Sequence, residues 1–371
     1  MRVIAFGHAG DDPATRFRIG QYIPHLQQAG WDVSLRTNHP PRPWVSHTWL
    51  ERRIGVIQRR LRRDRDIRAA SEYDAVWLNR DLLEGRVEYE ERLVRRNPRL
   101  LFDFDDAIFL GEKSRHIQWI CQHAAWVTAG NDYLASFARR FTDRVTVLPT
   151  VIDTDLYRVA TEAGSPVRVG WLGSDRSIRE TLFPHLPMLS SLQAELGFDF
   201  VIVSQPKPEL PPCGLRYRFE PWSPQAETSI ADLFDIGIMP LIDDEFQRGK
   251  CGCKLLQYMA AGLPSIASPV GINSSLLDRG RCGFLADSPQ DWRQGLAALI
   301  SDADARRELG ANGRSFVEQE YSVRRWLPEL VGILENVSTS HQRRSASGEP
   351  EPSGPRSSPD PQETPHARPA R

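Results

Sequence analysis

The chain has 371 residues, and its 47 Lys and Arg residues almost balance its 48 Asp and Glu residues. This length predicts two domains, and the balanced charge argues against a dedicated nucleic-acid-binding protein, which carries a basic excess. No segment has the roughly 18 consecutive apolar residues of a membrane-spanning helix, and the five cysteines are too scattered for a disulfide framework. We therefore expect a cytoplasmic protein.

Short apolar segments alternate with helical patterns over the first part of the chain. Residues 3–6 predict a strand, residues 16–29 predict a helix that Gly30 ends, and further strands are predicted at 31–35, 75–78, 100–104, 126–129 and 145–148. Alternating strands and helices are typical of a parallel sheet that helices cover on both faces. We therefore predict one Rossmann-like domain over residues 1–160.

The same alternation begins again after a cluster of small residues near 160–166, which we interpret as a hinge. It predicts a second Rossmann-like domain over 166–320, with a closing helix at 321–337 and strands at 167–172, 198–203, 236–239 and 265–267. Residues 338–371 are rich in Ser, Pro, Glu and Arg and have almost no apolar side chains. Such a segment cannot bury enough surface to fold, so we predict a disordered tail.

The loop after the first strand is a candidate binding site, because open α/β sheets bind ligands at the carboxyl ends of their strands. It begins at Gly7 and lacks the Gly-x-Gly-x-x-Gly spacing of dinucleotide-binding proteins. Arg16 and Arg18 lie at the start of the next helix, where guanidinium and backbone N–H groups suit an anionic or polyhydroxylated ligand. The alternative is that both arginines are solvated surface charges.

Three carboxylates, Asp103, Asp105 and Asp106, lie at the end of the apolar strand 100–104. Asp103 and Asp105 have the spacing of the aspartate pair in haloacid-dehalogenase-like phosphatases, although the Gly-Thr that normally follows that pair is missing. The second interpretation is that these side chains bind hydroxyl groups in a cleft between domains. The third is that they are ordinary turn and capping residues.

The stretch 246–264 is the most informative part of the sequence. A glycine-bearing loop leads directly into a short helix, whose first N–H groups and positive dipole end suit a diphosphate. Lys250 and Lys254 add point charges at the same place, and Gln257 is one turn further along, where it could contact a ribose. Cys251 and Cys253 have no second Cys or His pair nearby, so we expect them to pack the loop rather than bind a metal.

This stretch resembles the donor-binding segment of GT-B glycosyltransferases of the family 4 type, the glycosyl transferases group 1. Further segments resemble the same family in the same order, namely 170–174, 267–273, 283–286 with Trp292, and 321–334. The resemblance implies a GT-B architecture, in which two Rossmann-like domains face each other across a cleft. It also implies a retaining reaction with a nucleotide-diphosphate sugar as co-substrate, no metal and no other cofactor.

The implied function is transfer of a sugar to a saccharide or lipid-linked saccharide in polysaccharide biosynthesis. The resemblance places donor binding in the C-terminal domain, at Gly173, Ser174, Arg176, Arg179, Lys250, Lys254 and Gln257. We assign acceptor binding to the N-terminal domain, at Gly7, Arg16 and Arg18, with Asp105 and Asp106 as the catalytic candidates. Many members carry two glutamates eight residues apart, whereas this chain has Gly249 and Gln257 there. A non-catalytic nucleotide-sugar-binding protein therefore remains an alternative.

Residues 51–68 combine eight arginines with apolar residues at helical spacing, and Trp44 and Trp49 precede them. One interpretation is an amphipathic helix that docks on anionic lipid at the inner face of a membrane. The other is a solvated helix or loop. Contact with lipid would suit an enzyme whose acceptor is lipid-linked.

Overall fold

The protein is described here by a computed structural model, which covers residues 1–39, 48–159 and 164–347. Its N-terminal part contains a six-stranded parallel sheet with the strand order β2-β1-β3-β4-β5-β6. The strands are β1 (Arg2–Phe6), β2 (Asp32–Arg36), β3 (Ala75–Asn79), β4 (Leu100–Phe104), β5 (Trp126–Ala129) and β6 (Val145–Val147). Because β1 lies between β2 and β3, the loops that follow β1 and β3 diverge and open a crevice at the carboxyl edge of the sheet.

Six α-helices surround this sheet: α1 (Pro13–Arg18), α2 (Ile23–Gln28), α3 (Trp49–Ala69), α4 (Val87–Arg96), α5 (Ser114–His123) and α6 (Asp132–Ala138). Side-chain caps fix where the helices near the crevice begin. Asp12 accepts the Thr15 N–H at the start of α1, and Asn131 accepts the Leu134 N–H at the start of α6. Every residue of β3 and β4 is buried, as expected for central parallel strands.

The C-terminal part contains a second six-stranded parallel sheet with the order β12-β11-β10-β7-β8-β9. Its strands are β7 (Arg168–Leu172), β8 (Asp199–Ser204), β9 (Tyr217–Pro221), β10 (Ile236–Met239), β11 (Ser265–Ala267) and β12 (Gly283–Leu285). This is the doubly wound order of dinucleotide-binding domains, and its crevice lies between β7 and β10. The prediction of an α/β fold with two Rossmann-like domains is confirmed.

The helices of the C-terminal part are α7 (Asp175–Ser177), α8 (Leu186–Leu196), α9 (Pro224–Thr228), α10 (Glu245–Arg248), α11 (Cys253–Ala260), α12 (Asn273–Gly280), α13 (Pro289–Ser301), α14 (Ala303–Glu320) and α15 (Val323–Ser347). α15 crosses back to the first sheet, where Val323, Leu330 and Leu334 pack in one core with Val3 and Trp77. Within the described ranges, no helix is long and apolar enough to span a membrane.

The end of α15 corrects the predicted start of the disordered tail. Residues 338–347 are helical, and the Ser338 hydroxyl donates to the Glu335 carbonyl at 2.7 Å. Low hydrophobicity argues against tertiary packing, but extending a helix that is already anchored by buried residues such as Val337 costs little. Residues 348–371, and residues 160–163 of the predicted hinge, lie outside the described residues.

Candidate active site

The glycine-bearing loop before α11, residues 249–252, contacts the N-terminal part directly, and we call it the donor loop after its predicted role. The side-chain amide of Asn131 donates to the carbonyls of Gly249 and Lys250, at 3.0 and 3.3 Å. The Cys251 thiol donates to the Asp105 carbonyl at 3.1 Å. Asn131 is also the cap of α6, so one side chain fixes both a helix start and the contact between the two parts.

Gly249 is required by this docking. A Cβ atom at position 249 would lie 2.7 Å from the Ala107 Cβ and 3.0 Å from the Ala107 backbone nitrogen. Real Cβ atoms do not approach another carbon that closely, so a glutamate cannot stand here in this arrangement. The departure from the resembled family at this position therefore has a steric cause, which is the Asp105–Ala107 loop of the other domain.

The two cysteines of the donor loop are packing residues, as the sequence predicts. Burial raises the pKa of both thiols, and carboxylates in the surroundings (Asp105 for Cys251, Glu227 for Cys253) add to the effect. A Cβ at Gly130 would lie 2.3 Å from the Cys251 sulfur, so this thiol fills the space above a glycine. In the part of the chain that the structure describes, no group of three His, Cys, Asp or Glu side chains could hold a metal ion.

Lys254 lies on the first turn of α11 and faces the end of β7. Its ammonium group donates to the Ser177 hydroxyl at 3.0 Å and lies 5.2 Å from the centre of the Trp171 ring. Burial, reinforced by the charge of Lys250, lowers the pKa of Lys254 to about 7. Lys254 is half-buried and forms no ion pair with a carboxylate of the described residues, so a bound diphosphate would supply its counter-charge.

The turn after β7 is shaped by the same contacts. A Cβ at Gly173 would meet the Trp171 ring at 2.4 Å and the Lys254 Cε at 3.0 Å, so only glycine fits. Ser174 accepts the Ser177 N–H at 3.2 Å and thereby caps α7. The predicted residues Gly173, Ser174 and Lys254 are therefore neighbours at the C-terminal crevice.

The remaining basic donor candidates are more exposed. Lys250 and Arg176 lie on the same Phe246 ring, each with its charge 5.6 Å from the ring centre. Arg176 also pairs with Glu180 at 2.7 Å, and Arg179 pairs with Asp175 at 3.1 Å. The structure thus brings Arg176 to the edge of the lysine cluster, whereas the guanidinium of Arg179 is engaged within its own helical turn.

Gln257 and Arg16, predicted in different sites, belong to one hydrogen-bonded cluster. Arg16 forms a two-pronged ion pair with Glu227 of α9, on the opposite side of the domain boundary. Gln257 donates through its side-chain amide to the Tyr157 hydroxyl at 3.3 Å, and Tyr157 donates to Glu227 at 3.4 Å. The Arg16 guanidinium, which we predicted to bind the acceptor, is therefore paired with a carboxylate of the second domain.

Arg18 does not reach the cleft, which corrects its predicted role in acceptor binding. Its side chain is 1% exposed and donates to Asp103, which is fully buried, and to the Leu148 carbonyl at 2.8 Å. Asp103 also accepts hydrogen bonds from Asn79 and Thr128. This closed network also argues against the phosphatase alternative, since Asp103 is neither exposed nor free to attack a substrate.

Asp105 and Asp106 do line the crevice, and both are held by Arg80, a residue that the sequence analysis missed. The Arg80 guanidinium donates to Asp105 at 3.0 Å and to Asp106 at 2.5 Å. Burial raises the pKa of Asp106, although Arg80 and, more weakly, Lys250 oppose that rise. Arg80 has a φ of +62°, a left-handed value that is unfavourable for a residue with a side chain. The sequence signal that could have identified Arg80 is its position directly after β3, at the carboxyl end of a buried parallel strand.

The Gly7 loop is tightly packed against its own helix. A Cβ at Gly7 would meet the Thr15 side chain at 2.6 Å, and the Gly7 carbonyl accepts from Arg63 at 3.4 Å. The next residue, His8, contacts the Asp81 carboxylate at 3.0 Å. His8 and Asp81 are thus two further polar side chains of the N-terminal crevice that sequence reasoning missed.

Residues 180–302 match the family model of the glycosyl transferases group 1. D-inositol 3-phosphate glycosyltransferase of Corynebacterium urealyticum is 26% identical over 133 residues, which are 35% of this chain and 30% of that protein. The same enzyme of Paenarthrobacter aurescens is 33% identical over 78 residues, which are 20% and 18% of the two chains. The match thus spans less than a third of the length of these curated relatives.

Solved structures match over almost the whole chain. Sucrose-phosphate synthase from Thermosynechococcus elongatus has a TM-score of 0.66 at 14% identity, covering 94% of this chain and all of that one. Anabaena HepE in complex with UDP and glucose has a TM-score of 0.60 at 15% identity, covering 92% and 99%. The chain therefore has the GT-B fold. The match of residues 180–302 to the family model confirms the predicted resemblance to the glycosyl transferases group 1.

Proposed function

We propose that this protein transfers a sugar from a nucleotide-diphosphate sugar to a saccharide or lipid-linked saccharide acceptor, with retention of configuration and without a metal. The observation that carries this proposal is the half-buried ammonium of Lys254, which faces the β7 turn beside Lys250. Transfer leaves a diphosphate behind, so the site must stabilise two negatively charged phosphates as the glycosidic bond breaks.

The residue types at this site support a phosphate-binding role. The chain contains only four lysines, Lys113, Lys207, Lys250 and Lys254, in a protein otherwise rich in arginine. Two of these four lie at the C-terminal crevice, where the Lys254 ammonium donates to Ser177 and lies beside the Trp171 ring. Lys254 lies on the first turn of α11, where the unpaired N–H groups of a helix favour an anion.

The catalytic candidates remain Asp105 and Asp106. Burial raises the pKa of Asp106, and a carboxylate with a raised pKa is a better proton acceptor for an acceptor hydroxyl. Arg80 holds both carboxylates in place, so the acceptor would be oriented against a rigid edge. We propose Gly7 and its loop as the neighbouring acceptor contact.

A thermal-shift screen tests the donor site. The full chain is heated with UDP, GDP and ADP and with their common sugar derivatives, because a ligand at about 100 times its dissociation constant stabilises by about 2.7 kcal/mol. Lys254→Ala should abolish the shift that a nucleotide gives, whereas Lys207→Ala, an exposed lysine of the same domain, should leave it unchanged. An unchanged shift in Lys254→Ala would contradict the proposal.

The alternative function is that of a non-catalytic nucleotide-sugar-binding protein, because Gly249 and Gln257 replace two glutamates of the resembled family. Release of nucleotide diphosphate from the nucleotide-sugar that stabilises the protein, measured with a range of saccharide acceptors, separates the two functions. Binding without any release across that range would favour the binding protein. Release that depends on an acceptor would establish the transferase.

We also propose that the protein is cytoplasmic and contacts the inner face of an anionic membrane through α3. Leu50, Ile54, Ile57 and Leu61 recur at helical spacing and are 59%, 46%, 55% and 62% exposed. Trp49, which is 65% exposed, lies under the Arg53 guanidinium at 4.2 Å. An exposed apolar stripe with arginines beside it complements the acyl boundary and the anionic headgroups of a bilayer.

Not all arginines of α3 can contact lipid headgroups. Arg59 and Arg63 are buried and face the N-terminal core, and burial lowers the pKa of Arg63 to about 10. Co-sedimentation with vesicles of phosphatidylglycerol and phosphatidylcholine should therefore fall when Ile54 and Leu61 are both changed to Ser. Leu156→Ser, an exposed apolar residue elsewhere, is the control. Equal sedimentation of all three proteins would refute the membrane contact.

A further inference from the structure

Four side chains form a relay that runs across the domain boundary into the donor helix. Arg16 lies on α1 of the N-terminal domain, and Glu227 lies on α9 of the C-terminal domain. Tyr157 lies in the connection between the two sheets and donates to Glu227 at 3.4 Å. Gln257 of α11 donates to the Tyr157 hydroxyl at 3.3 Å. One continuous series of hydrogen bonds therefore joins the N-terminal domain to the donor helix.

The carboxylate of Glu227 depends on the other domain for its counter-charge. It is 6% exposed and accepts from both terminal nitrogens of Arg16, from the Trp222 indole at 3.0 Å and from Tyr157. Arg16 is the one cation that pairs with it within the described ranges. If the domains separated, Glu227 would lose this partner and keep only the Trp222 and Tyr157 donors.

The relay also fixes how the Gln257 amide is turned. The Tyr157 hydroxyl has one proton, which it donates to Glu227, so it accepts from the NH₂ group of Gln257. The carbonyl oxygen of Gln257 is left as a hydrogen-bond acceptor, and its neighbour among the described side chains is the weak Cys253 thiol at 3.9 Å. An acceptor oxygen held in this way is what a ribose hydroxyl needs as its partner.

We infer that Arg16, Glu227 and Tyr157 are positioning residues that turn the Gln257 amide toward the ribose of the donor nucleotide only when the two domains are together. This inference rests on the proposed function, because it takes the nucleotide to lie at α11. It couples closure of the cleft to recognition of the ribose. It assigns Arg16 to this coupling instead of to the acceptor.

The relay explains why glutamine stands where the resembled family has glutamate. A carboxylate at position 257 could not donate to Tyr157, and it would add a second negative charge to a buried cluster that already holds Glu227. The charge is thus carried by Glu227 and neutralised by Arg16. Gln257 supplies the neutral donor and acceptor that this arrangement requires.

Calorimetric titration of the full chain with UDP and with 2′,3′-dideoxy-UDP measures ribose recognition separately from phosphate binding. The same comparison is made with GDP and ADP, and the tightest pair is used. We expect the wild type to bind the ribonucleotide about tenfold more tightly than its dideoxy form, since one buried hydrogen bond is lost. Arg16→Gln, Glu227→Gln and Tyr157→Phe should each reduce that ratio to about threefold or less, with affinity for the dideoxy form changed by less than about twofold.

The control is Arg158→Gln, which breaks an exposed ion pair with Asp232 in the same region and should leave the ratio unchanged. A merely structural role for the relay would lower both affinities together and keep the ratio, and this result would overturn the inference. So would a wild type that binds nucleotides without discriminating ribose. A wild type that binds none of the nucleotides would instead contradict the proposed function.

Discussion

Arg16 and Glu227 form an ion pair that joins the two domains, and the Arg16 guanidinium also lies 4.8 Å from the centre of the Trp222 ring. The Glu227 carboxylate pairs with the guanidinium nitrogens of Arg16 and accepts a hydrogen bond from the Trp222 indole N–H, so each of the three side chains contacts the other two. The glycine-bearing loop at 249–251 makes a second contact between the domains through Asn131. These two contacts therefore join the domains at separate places.

Removal of Arg16 should destabilise the protein more than removal of both partners. Arg16→Ala leaves the Glu227 carboxylate buried without its cation, and we expect a loss of about 2–4 kcal/mol in the free energy of unfolding. In Arg16→Ala combined with Glu227→Gln, the buried group is neutral and about half of that loss should return. Urea unfolding measures both. Strict additivity of the two substitutions would contradict this account.

Lys254 should make nucleotide binding depend on pH. Its pKa of about 7 lies below the ordinary lysine value, so between that pH and the ordinary value the folded protein binds fewer protons than the unfolded chain. Stability from this group therefore rises with pH over that range and is lowest below pH 7. A bound diphosphate favours the charged form, so binding takes up a proton and affinity for UDP should fall as pH rises from 7 to 9.

Two variants check this pH dependence. Lys254→Arg keeps its charge throughout this range, so its affinity for UDP should be independent of pH between 7 and 9. Lys254→Ala should bind UDP weakly at every pH. Calorimetry at three pH values measures both, and a wild-type affinity that stays constant would show that Lys254 does not contact the phosphates.

Much of the fold could be predicted from the sequence, because buried parallel strands are continuous apolar runs. Residues 100–104 and 236–239 were predicted with the bounds that β4 and β10 have. The sequence analysis missed β9, since this edge strand is partly exposed and its sequence Tyr-Arg-Phe-Glu-Pro has no apolar run. Hydrophobicity marks what is buried on both faces, and it fails at edges.

The candidate site could be predicted only where one local segment carries the chemistry. The loop at 249–254 combines glycines, lysines and a helix start within a few residues, and the structure places Lys254 beside the β7 turn as expected. Arg18 and Asp103 are 85 residues apart, and their mutual neutralisation in the core has no local signature. For the same reason, the sequence did not indicate that Glu227 would form an ion pair with Arg16.

Restoring the family glutamate at Gly249 should damage the site instead of improving it. A side chain at this position meets Ala107 at 2.7 Å, so Gly249→Glu should weaken the contact between the domains and lower the melting temperature. Gly249→Ala should cost about 1–3 kcal/mol by overpacking, and the additional change Ala107→Gly should recover part of this loss. Calorimetric melting of the three variants measures the effect. A Gly249→Glu variant with the wild-type melting temperature would exclude the steric explanation.

Arg80 should matter for both stability and turnover. Its φ of +62° is unfavourable for a side-chain-bearing residue, so Arg80→Gly relieves backbone strain while it removes the ion pairs with Asp105 and Asp106. Asp105 and Asp106 stay largely buried without their cation, so we expect a net loss of about 2–3 kcal/mol in the free energy of unfolding. The rate of sugar transfer should fall at least about tenfold, because two candidate catalytic carboxylates lose their orientation. Arg86→Gly, which removes an exposed pair with Glu88, is the matched control. Wild-type turnover in Arg80→Gly would show that Asp105 and Asp106 need no such support.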